Sequence, residues 1–394
     1  METRSNNWYD RHYKTILIIP AILFFASLFY LFVFYQENGD VIYKDISLTG
    51  GTSITVLDES SDGKAIYSTI KASIPDLTIR TISDISTGKQ HGFTLESRQD
   101  AETLRQAIEE QIGYNLTSEN SSTEFSGSSL SQGFYTQLIH AIIVAFLLMG
   151  LVVYYIFGTS RKFKLIAGMA TAVSVSILFN TVGILNFLSV LGFLICFFWY
   201  ALTIKGSANR KNEAIKLVVF AVLGIILMNP VILQSILPIS IYIIIAVLVA
   251  SIIAIYTYQS VPSIAIILAA LADIVMTIAA VDILGMQISG AGIVAFLMLI
   301  GYSVDTDILL TSRLLKSQDG SVNQRIFGAF TTGLTMTLTA IAAVGVSLAI
   351  IYSFSETLRQ IFQIILIGLL FDLINTWVTN ASMLKWYMEV KKIS

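Results

Sequence analysis

The sequence predicts a polytopic α-helical membrane protein that carries one small α+β domain. Of its 394 residues, 55% are hydrophobic and only 13% are charged, a balance that is not typical of a soluble domain of this length. Apolar runs of about 20 residues, the length of a helix that crosses a bilayer, recur along the chain. One long polar segment, residues 36–133, interrupts them. These features predict about ten membrane helices and a single domain outside the bilayer.

The composition argues against several classes of function. The net charge of −2 and the lack of a basic stripe argue against nucleic-acid binding. The single cysteine, Cys196, rules out an intramolecular disulfide and a cysteine-based zinc site. The three histidines lie far apart, without the spacing of metal ligands. We therefore expect no metal site, no cofactor and no enzyme active site.

The chain begins with a polar stretch, residues 1–14, that carries Arg4, Arg11 and Lys14. Residues 16–35 are then apolar over about the length of one bilayer crossing. A cleaved signal peptide would have a shorter apolar core and a small-residue cleavage site, and neither is present. Residues 1–35 are therefore predicted to form a cytoplasmic N-terminus and an uncleaved first membrane helix.

Residues 36–133 show the pattern of a compact α+β domain. Gly50 and Gly51 precede the first predicted strand, which begins with Thr52, and Asp100 is a candidate N-cap for the second helix. The predicted order β-α-β-β-α-β is that of the ferredoxin-like split motif. Strands are expected at residues 52–56, 77–82, 91–95 and 122–125, and helices at residues 63–73 and 100–112.

The remaining chain divides into three membrane segments. Residues 134–158 hold the second helix, residues 159–259 hold four more, and residues 260–394 hold the last four with a cytoplasmic tail. The helices are expected at residues 137–157, 163–180, 184–204, 213–234, 238–258, 261–285, 290–312, 325–352 and 358–388.

The distribution of lysine and arginine supports ten crossings with both termini in the cytoplasm. The segments predicted to be cytoplasmic are basic, whereas the short external loops hold almost no basic residues apart from Arg359. Residues 36–133 are then extracytoplasmic, in a multi-pass protein of the plasma membrane. The cytoplasmic basic residues are Arg161, Lys162, Lys164, Lys205, Arg210, Lys211, Lys216, Arg313, Lys316, Arg325, Lys385, Lys391 and Lys392.

Four aspartates interrupt the apolar pattern of the last helices: Asp273, Asp305, Asp307 and Asp372. A carboxylate at membrane depth costs several kcal/mol unless it is paired or neutralised, so such residues are functional candidates. No lysine, arginine or histidine lies at comparable depth, which favours a proton relay; a sodium site is the nearest competitor. Asp305 and Asp307 could instead reach the interface from a helix end, and the other two could be structural hydrogen-bond donors.

Polar and small residues surround these acids in the sequence. Asn375 and Thr379 follow Asp372 at positions i+3 and i+7, on one helix face. Thr332 and Thr335 lie in a threonine-rich helix in which glycines permit close helix approach. The alternative for the threonines is a hydrogen bond to a carbonyl of their own helix.

Five stretches carry a family resemblance. Residues 301–307, Gly-Tyr-Ser-Val-Asp-Thr-Asp, followed by Arg313, resemble the fourth-helix motif of archaeal SecF proteins, members of the SecD/SecF family in the resistance-nodulation-division (RND) superfamily. Residues 48–52, which include the two glycines and Thr52, resemble the first motif of the family's external domain. Residues 269–274, 332–337 and 371–377 are also similar to archaeal members.

The resemblance implies a SecDF-type core of six helices, to which residues 159–259 add about four. It also implies an auxiliary, non-enzymatic role in late protein export, driven by the proton motive force. The implied partners are a SecD homologue, Sec channel subunits, the translocating polypeptide and membrane lipids. Asp305 matches the position of the carboxylate proposed to carry protons in the SecD half. In bacterial SecF the acid falls one position later, where this chain has Thr306, and Arg313 is expected to support the site. The arginine that bacterial members carry early in their fifth helix aligns with Gly328, and the nearest arginine is Arg325.

Two other functions fit the residues alone. An autonomous RND-type transporter of lipids or small molecules, coupled to protons or sodium, would associate with itself to complete its pathway. A static assembly scaffold would need its intramembrane acids for stability only. The transporter is usually marked by a second large external domain and a second copy of the motif in one chain, and neither is present.

Overall fold

A computed structural model describes residues 8–83, 89–179, 183–204, 210–229, 241–317, 320–352 and 355–392. It begins with a short helix, α1 (Trp8–Ile16), that leads into a long apolar helix, α2 (Ile18–Asn38). Helix α2 ends at Gly39, whose left-handed backbone (φ 74°) ends the helical path. The predicted first membrane helix is found, but α2 begins two residues later and ends three residues later than the apolar pattern indicated.

The polar segment folds as predicted. Asp62 and Asp100 cap its two main helices by accepting hydrogen bonds from the backbone N–H groups of Lys64 and Thr103. The domain's elements are α3 (Ile46–Thr49), β1 (Gly51–Val56), α4 (Gly63–Ile70), β2 (Thr78–Ser83), β3 (Gln90–Ser97), α5 (Ala101–Ile112) and β4 (Ser121–Ser126).

The four strands form one antiparallel sheet in the order β2-β3-β1-β4. This order is the one that the predicted split β-α-β motif requires, because β3 inserts between β1 and β2. Ile54 of β1 pairs with Leu95 of β3, and both side chains are fully buried. They pack with Leu104 and Ile108 of α5 in the domain's own hydrophobic core. The ferredoxin-like domain is therefore confirmed.

Helical residues lie at each of the ten predicted membrane positions. The end of the helix expected at residues 213–234 and the start of the one expected at 238–258 lie outside the described residues. The helices after the domain are α6 (Ser128–Phe157), α7 (Arg161–Leu178), α8 (Gly183–Ile204), α9 (Arg210–Met228), α10 (Ile241–Gln259), α11 (Val261–Ile283), α12 (Gly290–Lys316), α13 (Val322–Ile351), α14 (Glu356–Ile374) and α15 (Ala381–Lys391).

Seven helical stretches in the described part of the chain are long and apolar enough to cross a membrane. Helices α7, α9 and α10 fall below that limit, so the count of ten crossings and the side on which each end lies stay predictions. Helices α11 and α12 form the centre of the bundle, because more than half of the most apolar part of each is buried inside the protein. Helix α13 lies at the periphery and is mostly exposed.

Serine N-caps fix the starts of the four C-terminal helices. Ser260, Ser289, Ser321 and Ser355 each accept a hydrogen bond from a backbone N–H of the first turn of α11, α12, α13 and α14, respectively. Ser321 forms a full capping box with Gln324. These caps define where each acid-bearing helix begins.

Candidate functional site

Three of the four intramembrane aspartates converge inside the bundle. Asp273 of α11, Asp307 of α12 and Asp372 of α14 are buried, with relative exposures of 0%, 0% and 1%. Each one has its own set of hydroxyl or amide donors from a neighbouring helix. We call these three residues the carboxylate cluster.

Asp273 receives a donor at each carboxylate oxygen. The hydroxyl of Ser303 in α12 donates to Oδ2 over 2.5 Å, and the Asn375 side-chain amide donates to Oδ1 over 2.7 Å. Thr379 in turn donates to the Asn375 carbonyl oxygen over 3.2 Å. Asp273 therefore joins three parts of the bundle.

Asp372 lies between two threonine hydroxyls. Thr376, one turn later, donates to Oδ1 over 3.0 Å. The hydroxyl of Thr306 lies 3.3 Å from Oδ1, although its nearest acceptor is the Ser303 carbonyl at 2.8 Å. Ser303 and Thr306 thus link α12 to Asp273 and Asp372, respectively.

Asp307 accepts one hydrogen bond, from the side-chain amide of Asn380 to Oδ1 over 2.7 Å. Its second oxygen, Oδ2, is buried and has no hydrogen-bond partner in the described part of the chain. A buried polar atom without a partner is uncommon in proteins.

A π-helical segment, Asn375–Asn380, supplies most of these donors. It joins α14 to α15 inside what the sequence predicts as one continuous α-helix. The wider i→i+5 turn brings Asn375, Thr376, Thr379 and Asn380 into the interior, where all four side chains are buried. Asn375 contacts Asp273 rather than Asp372, and Thr379 donates to Asn375.

The chemistry of the cluster follows from its donors. Among the described residues, hydroxyl and amide groups contact the three carboxylates, and no lysine, arginine or histidine does so. A buried carboxylate charge without a cationic partner carries a desolvation penalty of several kcal/mol, which is removed when the group binds a proton. The cluster is therefore suited to binding and releasing protons.

The structure does not bring Asp305 into this cluster. Asp305 is exposed on the outward face of α12, whereas Thr306 and Asp307 turn inward. The helical period places Ser303, Thr306 and Asp307 on one side and Tyr302 and Asp305 on the other.

Of the predicted supporting residues, Thr306 and Asn375 contact the cluster, whereas Arg313, Thr332 and Thr335 lie outside it. Arg313 donates from Nη1 to the Gly328 carbonyl over 2.8 Å, which ties the end of α12 to α13. Thr332 donates to the same carbonyl over 3.2 Å, and Thr335 donates to the Thr331 carbonyl over 2.7 Å. Both threonines therefore bond to their own helix, the alternative considered for them from the sequence.

The glycine motif of the external domain has a structural role. Gly50 and Gly51 have positive φ angles of 81° and 143°. A Cβ at Gly50 would overlap the backbone of Ser128 at the start of α6, and one at Gly51 would overlap the Ser97 carbonyl. Thr52 donates to the Gln99 carbonyl over 2.8 Å. The motif allows the first strand to lie close against the first membrane helix after the domain.

Sequence reasoning missed Ser303, Thr376 and Asn380 as members of the site. Each is a polar residue within an otherwise apolar helix, which is the same signal that pointed to the aspartates. The run Asn-Thr-Trp-Val-Thr-Asn at residues 375–380 carries four such residues in six positions. A count of polar residues per turn would have drawn attention to it.

Comparison with known proteins shows what the chain is similar to. Residues 233–390 match the family model described as "Protein export membrane protein SecD/SecF, C-terminal". Three relatives are named "Protein-export membrane protein SecF". The one from Methanolacinia petrolearia is 48% identical over 131 residues, and the one from Methanothermobacter thermautotrophicus is 46% identical over 134 residues. The one from Methanocaldococcus jannaschii is 45% identical over 150 residues.

These matches cover part of each protein. They span 33%, 33% and 36% of this chain, and 46%, 47% and 53% of the three relatives. The chain therefore spans about half the length of the relatives that it matches.

Among solved structures, the chain resembles the crystal structure of SecDF, a translocon-associated membrane protein, from Thermus thermophilus. The TM-score is 0.53 at 12% sequence identity, and the match covers 99% of this chain and 40% of that one. At this identity the likeness concerns the fold. The chain is a multi-pass plasma-membrane protein, and its C-terminal part is similar to SecF proteins.

Proposed function

We propose that this protein is a non-enzymatic auxiliary subunit of the protein-export machinery, which works with a SecD-type partner and uses the proton motive force. The observation that carries the proposal is the burial of Asp273, Asp307 and Asp372 on three different helices, where the donors among the described residues are hydroxyl and amide groups. Gain or loss of a proton changes the charge that these helices enclose. A change of this kind favours one helix arrangement over another.

The proposed cycle uses both parts of the chain. Residues 36–133 lie outside the membrane and hold or pull the emerging polypeptide near the Sec channel. The carboxylate cluster takes up a proton from the outer side and releases it to the cytoplasm, as alternating access requires. The SecF relatives and the SecDF fold support this reading, and it extends beyond what their names state.

The outward face of α12 supports the need for a partner. Asp305 is exposed there, beside Tyr302 and Met298, which are 46% and 45% exposed. An acid that faces lipid at membrane depth is costly. A homologous SecD-type half, packed against this face together with surrounding lipids, would cover it and give Asp305 a polar neighbour.

Substitution of the acids tests the proposal. Asp273→Asn, Asp307→Asn, Asp372→Asn and Asp305→Asn keep the side-chain size and remove the titratable group. We expect about tenfold slower export of a secreted reporter, because a coupling step worth about 1.4 kcal/mol or more is lost. Glu124→Gln, an exposed acid on β4 of the external domain, is the control and should export normally.

Two further measurements complete the test: the amount of each variant in the membrane and the recovery of a partner with it. The acid variants should insert at normal levels and co-purify with a SecD-type protein in mild detergent. Normal export by all of the acid variants would contradict a relay, and self-association without such a partner would favour an autonomous transporter. If the acid variants failed only because less protein accumulated, a static scaffold would explain the result.

A further inference from the structure

The two helices that carry Asp307 and Asp372 both begin at the surface that bears the external domain. Helix α12 begins after Ser289, and α14 begins with Glu356. The external domain contacts both starting points, but with different kinds of bond. This difference is the basis of the inference.

Backbone hydrogen bonds hold the domain to the start of α12. The Asp45 N–H donates to the Ile288 carbonyl over 3.1 Å, and the Ile288 N–H donates to the Tyr43 carbonyl over 2.6 Å. The Ser47 hydroxyl accepts a bond from the Gly290 N–H over 3.1 Å. The segment before β1 therefore forms a fixed, strand-like attachment to the loop between α11 and α12.

In the described part of the chain, Arg80 of β2 makes the charged link to α14. Its guanidinium pairs with Glu356 through Nη1 and with Glu96 of β3 through Nη2, at 2.7 Å in the second case. The same Nη2 donates to Gln287 over 2.6 Å. Arg80 therefore connects the sheet, the loop before α12 and the first turn of α14.

Open clefts lie on both sides of this link. One has a volume of about 390 Å³ and separates β2 from α14, with Thr78, Arg80 and Gln363 among its lining residues. The other has a volume of about 310 Å³ and includes Asp45 and Glu96. Arg80 is largely buried between these clefts, and its hydrogen bonds connect β2 to α14 and to the loop before α12.

We propose that Arg80 is the coupling residue that transmits movement of α14, relative to α12, to the external domain. The proposal rests on the proposed function, and it identifies where the motion leaves the membrane region. The backbone attachment at Ile288 stays fixed while the domain moves around it. The Arg80–Glu356 pair transmits the movement of α14, because a charged hydrogen bond is lost when its partners separate by little more than 1 Å.

The charges around Arg80 make this link sensitive to its surroundings. Three carboxylates, Asp45, Glu96 and Glu356, surround the one guanidinium, and Arg359 lies 3.5 Å from Glu356 as a second cation. Arg359 belongs to α14 and moves with Glu356. A shift of α14 therefore moves Arg359 and changes how much positive charge lies near Asp45 and Glu96 of the domain.

Charge reversal tests the coupling. Arg80→Glu and Glu356→Arg should each slow export about tenfold, the effect of losing one charged hydrogen bond. The double variant Arg80→Glu/Glu356→Arg should recover part of the rate: the pair is restored in reverse, but Glu96 and Asp45 still repel the carboxylate introduced at position 80. Arg105→Ala, which removes an arginine of α5 that contacts Glu109 in the same domain, is the control.

Proton leak separates coupling from the relay itself. In vesicles that contain the full chain with its partner, the Arg80→Glu variant should keep wild-type proton leak under an imposed pH gradient while export falls. Loss of leak and export together would overturn the proposal, since Arg80 would then affect the relay. Export at the normal rate in both single variants would also overturn it.

A cross-link provides a second test that does not depend on removing a charge. In a Cys196→Ser background, cysteines introduced as Thr78→Cys and Gln363→Cys lie on the same cleft and can be joined by a short bismaleimide. Joining them should stop export and leave proton leak. If the locked protein exports normally while the acid variants do not, the coupling proposal fails and the proposed function stands.

Discussion

Asn375 donates from its side-chain amide to Oδ1 of Asp273 over 2.7 Å and joins the π-helical segment to α11 across 102 positions of the chain. Both residues are fully buried. The bond is one of two that the Asp273 carboxylate accepts from other helices, and it uses the donor that the π-helical turn brings inward.

Loss of this donor should destabilise the bundle. Asn375→Ala leaves Asp273 with the Ser303 hydroxyl alone, and we expect a loss of about 1–3 kcal/mol, the usual penalty for a buried polar group without its partner. Denaturant unfolding of the purified chain in detergent measures it. Thr335→Ala, which removes an exposed hydroxyl bonded to its own helix, should change stability by less than about 0.5 kcal/mol. Equal effects would contradict the assigned role.

Two glycines of α13 form a matched pair for helix packing. A Cβ at Gly333 would overlap the ring of Trp377, whereas one at Gly345 would meet nothing within 4 Å. Gly333→Ala should therefore cost about 1–3 kcal/mol through overpacking. Gly345→Ala should gain up to about 1 kcal/mol, because alanine favours the helix. Unfolding in detergent gives both values, and loss of stability in both variants would contradict the packing argument.

Glu96 should make the external domain sensitive to pH. Burial raises the pKa of Glu96 to about 7; Arg80 opposes this shift, and Asp45 and Glu356 add to it. Because the folded pKa lies above the ordinary value of 4.5, the contribution of Glu96 to stability is complete below pH 4.5 and is lost as the pH rises to about 7. Hydrogen exchange of β3 in the full chain, followed from about pH 5 to 8, measures this loss.

Glu96→Gln is the matched variant for the pH measurement. It keeps the side-chain size and removes the titratable carboxyl group. The exchange rates of β3, once corrected for the intrinsic effect of pH, should therefore depend less on pH. Glu124→Gln, on an exposed position of β4, should keep the wild-type dependence. An unchanged dependence in Glu96→Gln would show that another group is responsible.

Local sequence signals predicted the helices and strands, and the elements that they missed have a physical explanation. The six elements predicted for the external domain follow from alternation, caps and turns, and all six are found, whereas the short helix α3 was not predicted. The π-helical segment was not predicted either, because an i→i+5 turn has no marker in an apolar pattern whose period is read as 3.6. The inward donors Thr376 and Asn380 were missed for the same reason.

The choice between Asp305 and Asp307 shows more clearly what the sequence alone does not predict. The family motif draws attention to Asp305, and a hydropathy pattern treats the two residues alike. Their directions differ by about 200° around the helix, so one faces the bundle when the other faces away. Which of them faces inward depends on how α12 packs against α11 and α14, and that is a tertiary property.

The two acids should therefore respond differently to an apolar substitution. In the isolated chain, Asp307→Leu leaves the Asn380 amide without its acceptor in a fully buried site and should cost about 1–3 kcal/mol. Asp305→Leu changes an exposed position and should alter stability by less than about 0.5 kcal/mol.

With the partner present, Asp305→Leu should weaken association, because a polar contact at the covered face is lost. Unfolding of the chain alone and co-purification of the partner measure the two effects separately. If Asp305→Leu destabilised the isolated chain as strongly as Asp307→Leu, both acids would have to lie inside the bundle, and the outward face of α12 would not be a site for a partner.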